Sequence, residues 1–166
     1  MKQKINKKLF EKSFVYEGKI QMPKGFDIKT ENIVKHIKEI NFNKNYNNWF
    51  CKETAIAETY ILDYLRSEHK LPIETSDSTK NIIFKENEIS KIKLEQSNCD
   101  LVCLYGVDIY INSCSLFIYS NTTKDKYEFK LEKDFFIIFP SHLKYNIKNS
   151  NNVGNNYMQK FFYIKL

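Results

Sequence analysis

Glycine and proline are scarce in this chain of 166 residues: four Gly and three Pro. The four glycines, at 18, 25, 106 and 154, build no glycine-rich phosphate loop of either nucleotide-binding kind, and no Gly-x-Ser-x-Gly elbow is present. Histidine is equally rare, with only His36, His69 and His142. His36 and His69 have no second His or paired carboxylate at ligand spacing, so both read as structural or solvated. No run approaches the roughly 18 apolar residues needed to span a bilayer. No secretory leader precedes Cys51, Cys99, Cys103 and Cys114. A soluble, cytoplasmic, non-secreted protein with reduced thiols is therefore expected. Cys99 and Cys103, four apart in an expected strand, would share a face; the short Cys-x-x-Cys spacing of a zinc knuckle is absent.

What the chain has is apolar and aromatic bulk: 42% hydrophobic residues, 13 Phe and 11 Tyr, enough for a sizeable core. Charged residues make up 28%, too few for a disordered chain of this apolar content. The net charge of +6 comes from lysine, which far outnumbers arginine. A solvated lysine surface accounts for it, and so does an affinity for nucleic acid or an acidic partner.

One domain is expected over residues 1–166: a basic tail (1–8), a strand and two helices (9–72), and a β-barrel core (81–166). Lys8 to Ile20 reads as a strand stopped by Pro23-Lys24-Gly25. Thr30 can cap a first helix carrying Ile33, Val34, Ile37 and Ile40 on one stripe and ending near Asn41. An Asn-rich loop then leads to Trp49-Phe50. A second helix sets Ile56, Tyr60, Ile61, Tyr64 and Leu65 on one face, and Pro72 limits its extent.

From Asn81 the apolar period becomes that of strands. Ile82–Phe84, a run holding Ile89, Ile92 and Leu94, Leu101–Val107, Ser115–Tyr119, Tyr127–Leu131, Phe135–Phe139, Tyr145–Lys148 and Met158–Leu166 are eight short runs joined by polar turns, as in a sandwich or barrel. Lys alternates with aromatics in Lys126-Tyr127-Glu128-Phe129-Lys130 and again from Lys160 to Lys165. Such a face can stack single-stranded bases, but one buried and one solvated strand face fits the alternation without any ligand and is the favoured reading.

The segment Asp134-Phe135-Phe136-Ile137-Ile138-Phe139-Pro140-Ser141-His142 is a buried strand that stops abruptly at proline. It resembles the late strand of the iron(II)- and 2-oxoglutarate-dependent oxygenases, in particular a small phage-type branch. There a Phe-Pro-Ser corner precedes a metal-binding His, and a later Arg or Lys holds the cosubstrate. The resemblance implies a double-stranded β-helix (a jelly-roll or cupin-like barrel) of mainly β, α+β class, with two N-terminal helices packed on one face. It also implies where chemistry would sit. Tyr145 stands in place of the metal-binding His, and His142 lies three residues earlier. The stretch where the family carries His-x-Asp or His-x-His reads Leu94-Glu95-Gln96-Ser97-Asn98-Cys99-Asp100, with carboxylates and no His. Asp100, His142 and Tyr145 are thus the metal candidates, and Lys160, with Ser141 of the corner, the cosubstrate candidates.

Iron of this kind needs two imidazoles and a carboxylate on one face. With both imidazole positions vacant, the expectation is a degenerate barrel that needs no cofactor and binds an unknown small molecule or protein. Its alternatives are an active hydroxylase using iron(II) and 2-oxoglutarate with non-standard ligands, and a basic barrel binding nucleic acid or an acidic partner. A homo-oligomer through an exposed edge strand is a further option.

Overall fold

In the computed structural model, residues 4–10, 13–42, 51–150 and 154–166 are described. The expected loop through Trp49-Phe50 lies outside them. The elements run β1 (Lys4–Phe10), β2 (Ser13–Lys19), α1 (Thr30–Phe42), α2 (Lys52–Glu68), β3 (Ile73–Thr75), β4 (Lys80–Phe84), β5 (Leu101–Asp108), β6 (Cys114–Tyr119), β7 (Lys126–Leu131), β8 (Phe135–Pro140), β9 (Lys144–Asn149) and β10 (Asn156–Lys165). Nearly all the β structure is antiparallel pairing in two sheets. The larger runs β1-β2-β8-β5-β10-β3, with β4 also on β10, and the smaller runs β7-β6-β9.

The larger sheet is buried on both faces, which is why β5, β8 and β10 read as nearly continuous apolar runs. Side chains alternate across it. Leu101, Cys103, Tyr105, Phe136, Ile138, Phe161 and Tyr163 pack towards the helices, joining Ile33, Ile37, Ala57, Ile61 and Leu65. Val102, Leu104, Ile137, Phe139, Met158 and Phe162 point the other way, against Leu116, Ile118, Phe129, Leu131, Tyr145 and Ile147 of the smaller sheet. The barrel interior is therefore filled with side chains, and the helices cover the opposite face of its larger sheet.

Gly106 marks where β5 must come close to a neighbour. A Cβ there would lie 2.1 Å from the Glu132 carbonyl oxygen. The Asp134 amide hydrogen-bonds to the Gly106 carbonyl. The β5–β10 register slips between Tyr157 and Met158, so the bulge and the glycine share one place in the ladder.

Several expectations need correction. The segment expected as one strand from Lys8 to Ile20 is two, β1 and β2, folded on each other as a hairpin. β3, only three residues long, carries no readable alternation. Ile89, Ile92 and Leu94 form no strand: isolated bridges at Ile89 and Lys93 tie this segment to β9, and the three side chains are exposed. Their irregular spacing could not put all three on one face of a strand. The buried face of α2 is Thr54, Ala57, Ile61, Tyr64 and Leu65, so Ile56 and Tyr60 fall to its flank. Cys99 lies before β5 starts and packs on the barrel core, whereas Cys103 is buried on the helix side. All four cysteines are free.

Candidate functional site

The apolar barrel interior holds one lysine. On β10, Met158, Lys160 and Phe162 share the inward parity, so the strand carries Lys160 between the sheets, and it is only 5% exposed. A buried ammonium is costly unless paired and hydrogen-bonded. Lys160 Nζ donates to Glu95 Oε2 at 2.8 Å and to the Tyr145 hydroxyl at 2.7 Å. The Tyr145 hydroxyl in turn donates to Glu95 Oε2 at 2.8 Å, closing a three-membered polar ring.

Each member is held by a different element. Tyr145 belongs to β9, where the paired neighbour Ile118 of β6 and the edge-on contact with Phe139, centroids 5.0 Å apart, fix its ring. Glu95 lies in the irregular segment between β4 and β5. That segment runs along β9: Lys93 and Tyr145 exchange both backbone hydrogen bonds, Ser90 N donates to Ile147 O, and Asn149 N to Glu88 O. Two residues after the Lys93 bridge the chain turns Glu95 inward. Its other oxygen faces Lys80 Nζ at 3.6 Å and accepts from Ser97 Oγ at 3.2 Å.

Burial pushes the Glu95 carboxyl up, but the hydrogen bond and charge of Lys160, with Tyr145 and Lys80, outweigh it and hold the pKa at about 2. Burial and the adjacent Glu95 charge drive the Tyr145 phenol upward. Burial draws the Lys160 ammonium down against the opposing pull of Glu95. At neutral pH Glu95 is therefore a carboxylate and Tyr145 a neutral phenol.

The other candidates lie elsewhere. Asp100, Ser141 and His142 line an open groove of about 740 Å³ at the barrel mouth, with Phe14, Tyr16 and Lys165 among its walls. Neither Tyr145 nor Lys160 lines it. Asp100 Oδ2 accepts the Lys165 amide at 2.7 Å, and Ser141 Oγ donates to the Cys99 carbonyl at 2.6 Å, so both fasten the corner. Of the remaining histidines, His69 packs against Tyr16 and Tyr64 and hydrogen-bonds the Tyr64 hydroxyl. The structure thus joins Tyr145 to Lys160, separates them from Asp100 and His142, and adds Glu95. Glu95 was visible only as one carboxylate in the stretch where a His motif would stand.

The larger and smaller antiparallel sheets, the filled barrel and the helices on one side resemble known structures. A prolyl-4-hydroxylase from Pseudomonas putida superposes with a TM-score of 0.62 at 6% identity, over 91% of this chain and 88% of that one. A non-haem α-ketoglutarate-dependent epimerase of nogalamycin biosynthesis, SnoN, gives 0.66 at 5% identity, over 91% and 77%. This chain has the fold of the 2-oxoglutarate- and iron(II)-dependent oxygenases. A prolyl 4-hydroxylase from Phytophthora capsici adds a TM-score of 0.58 at 9% identity, over 91% of this chain and 58% of that one. No protein-family model matches the sequence, and no curated protein is similar to it.

Among the described residues, the barrel does not bring together the two imidazoles and the carboxylate that iron(II) of this kind needs. Among the described residues, no group of three or more His, Cys, Asp or Glu side chains is arranged to hold a metal ion. The Tyr145 hydroxyl is already engaged, donating to Glu95 and accepting from Lys160. Lys160, matched by resemblance to the cosubstrate-binding cation, already holds a carboxylate, that of Glu95.

Proposed function

We propose that this chain is a non-catalytic double-stranded β-helix protein that binds a ligand or partner without oxidising it. The observation that carries the reading is the Glu95–Tyr145–Lys160 ring. It supplies from within the chain the carboxylate that an oxygenase of this fold takes from its cosubstrate, and it buries all three groups among Phe139, Phe162 and Val102. The groove at the barrel mouth, with Asp100, Ser141, His142 and Lys165 above an aromatic wall of Phe14 and Tyr16, has the mixed lining of a ligand site.

The alternative is a hydroxylase with Asp100, His142 and Tyr145 as iron ligands, Ser141 and Lys160 holding 2-oxoglutarate. It requires Tyr145 and Lys160 to break with Glu95. Incubation with iron(II), ascorbate and 2-oxoglutarate in air, followed by NMR for succinate, tests the proposal. No succinate above a protein-free control is expected; succinate formed in proportion to protein overturns it.

A further inference from the structure

The three-stranded sheet has a second face, turned away from the barrel core. Leu116 and Ile118 of β6, Phe129 and Leu131 of β7, and Tyr145 and Ile147 of β9 point inward. The intervening residues therefore point outward. They are Ser115, Phe117 and Tyr119 on the central strand, Lys126, Glu128 and Lys130 on one side, and Lys144, Asn146 and Lys148 on the other. The ladder fixes their order: Tyr119 lies between Lys126 and Lys144, Phe117 between Glu128 and Asn146, and Ser115 between Lys130 and Lys148.

Two aromatic rings thus run down the middle of a sheet face, flanked by four exposed lysines. The one carboxylate, Glu128, is paired with Lys130 at 2.9 Å. The Lys126 ammonium lies 5.0 Å from the centroid of the Phe117 ring, a cation–π contact on this face. The Tyr119 hydroxyl donates to Asn146 Oδ1 at 2.8 Å, which holds that ring in place. Neighbouring strands are about 4.8 Å apart and alternate residues about 6.7 Å apart along a strand. Each aromatic is consequently within reach of lysines on both sides, and the row of rings has the spacing of successive unstacked bases.

We propose that this outer face of the three-stranded sheet binds single-stranded nucleic acid, with bases stacked on Phe117 and Tyr119 and phosphates tracked by Lys126, Lys144, Lys130 and Lys148. An acidic protein would meet the lysines but make no use of an aromatic row. A duplex hides the faces of its bases and would gain only the charge. The inference concerns the outside of the barrel and stands whether or not its interior is inert.

The test is fluorescence anisotropy of the full chain with labelled 12-nucleotide oligo(dT) and oligo(rU). Binding should weaken about 15- to 60-fold between 50 and 200 mM salt, the response to release of roughly two to three counterions. Lys126→Glu with Lys144→Glu should weaken it more than tenfold. Lys29→Glu with Lys35→Glu, an equal charge change on the helix side, should have a much smaller effect. Phe117→Ala should cost roughly 5- to 150-fold through lost stacking. Phe117→Leu, which keeps the apolar bulk without the ring, should behave alike and covers the case in which the alanine variant does not fold. The proposal is overturned by no binding at 50 mM salt, by equal losses in the two lysine pairs, by unchanged binding in Phe117→Leu, or by inorganic polyphosphate competing as well per phosphate as oligo(dT).

Discussion

Lys160 and Glu95, 65 positions apart in sequence, meet at 2.8 Å inside the barrel with both side chains almost wholly withdrawn from solvent. Tyr145 bridges them, so every charge in this part of the interior has a partner. A buried pair of this kind contributes little net stability over a well-packed apolar replacement, yet losing one member is costly.

The first prediction follows from that asymmetry. Glu95→Ala should destabilise the fold by about 3–5 kcal/mol, because it strands the Lys160 ammonium among Phe162, Val102 and Phe139. The double variant Glu95→Leu with Lys160→Met should recover most of the loss. Urea unfolding of Glu95→Leu, Lys160→Met and the double variant measures the coupling; strictly additive losses would contradict it.

Acid should unfold the protein through the same group. Glu95 has a folded pKa of about 2 against an ordinary value of 4.5. A depressed carboxyl pKa adds stability that is complete above the unfolded value and is lost as pH falls from about 4.5 towards 2. Melting temperature should therefore drop across that window in the wild type, and Glu95→Gln should show a shallower drop from a lower starting point. Parallel curves would place the acid sensitivity elsewhere.

At Gly106 the fold tolerates no side chain. A methyl group would press on the Glu132 carbonyl, part of the tight turn before β8. Gly106→Ala should cost at least about 1–3 kcal/mol, as overpacking does, measured by urea midpoint. A neutral outcome would mean the turn can move away.

A second buried polar cluster holds the chain between β4, β9 and β10. Asn156 Nδ2 donates to Asn149 Oδ1 at 2.7 Å and to Ser113 Oγ at 2.8 Å, and its Oδ1 accepts the Tyr110 amide at 3.0 Å. Asn149 Nδ2 donates to the Lys85 carbonyl at 2.7 Å. Asn156→Ala should cost about 1–3 kcal/mol for each group left without a partner. Amide exchange at Tyr110 should accelerate with it; unchanged exchange would argue against this role.

Much of the barrel was legible because β5, β6, β7, β8 and β9 are short, apolar and separated by polar turns. β10 was legible as a strand but not as a parity pattern. Tyr157, Phe161 and Tyr163 fill the helix side while Met158 and Phe162 fill the barrel, so nothing in its spelling marks Lys160 as inward. The two polar residues in mid-strand, Gln159 and Lys160, are both buried, and both found partners far away in sequence: Gln159 with Thr54 and Asn81, Lys160 with Glu95 and Tyr145. Glu95 was less readable still. Its inward turn depends on backbone bridges between an irregular segment and β9, a long-range geometry that periodicity does not encode. β1 and β2 are not separable in the sequence because no Gly or Pro lies between them.

On the proposed function, the Glu95–Tyr145–Lys160 ring leaves this oxygenase-type barrel without a working site for iron(II) or 2-oxoglutarate. Calorimetric titration of the protein with iron(II) under anaerobic conditions, with and without 2-oxoglutarate, tests it most directly. No saturable heat is expected in either case. A one-to-one site of micromolar affinity, tightened by 2-oxoglutarate and lost in Tyr145→Phe or Lys160→Met, would contradict it.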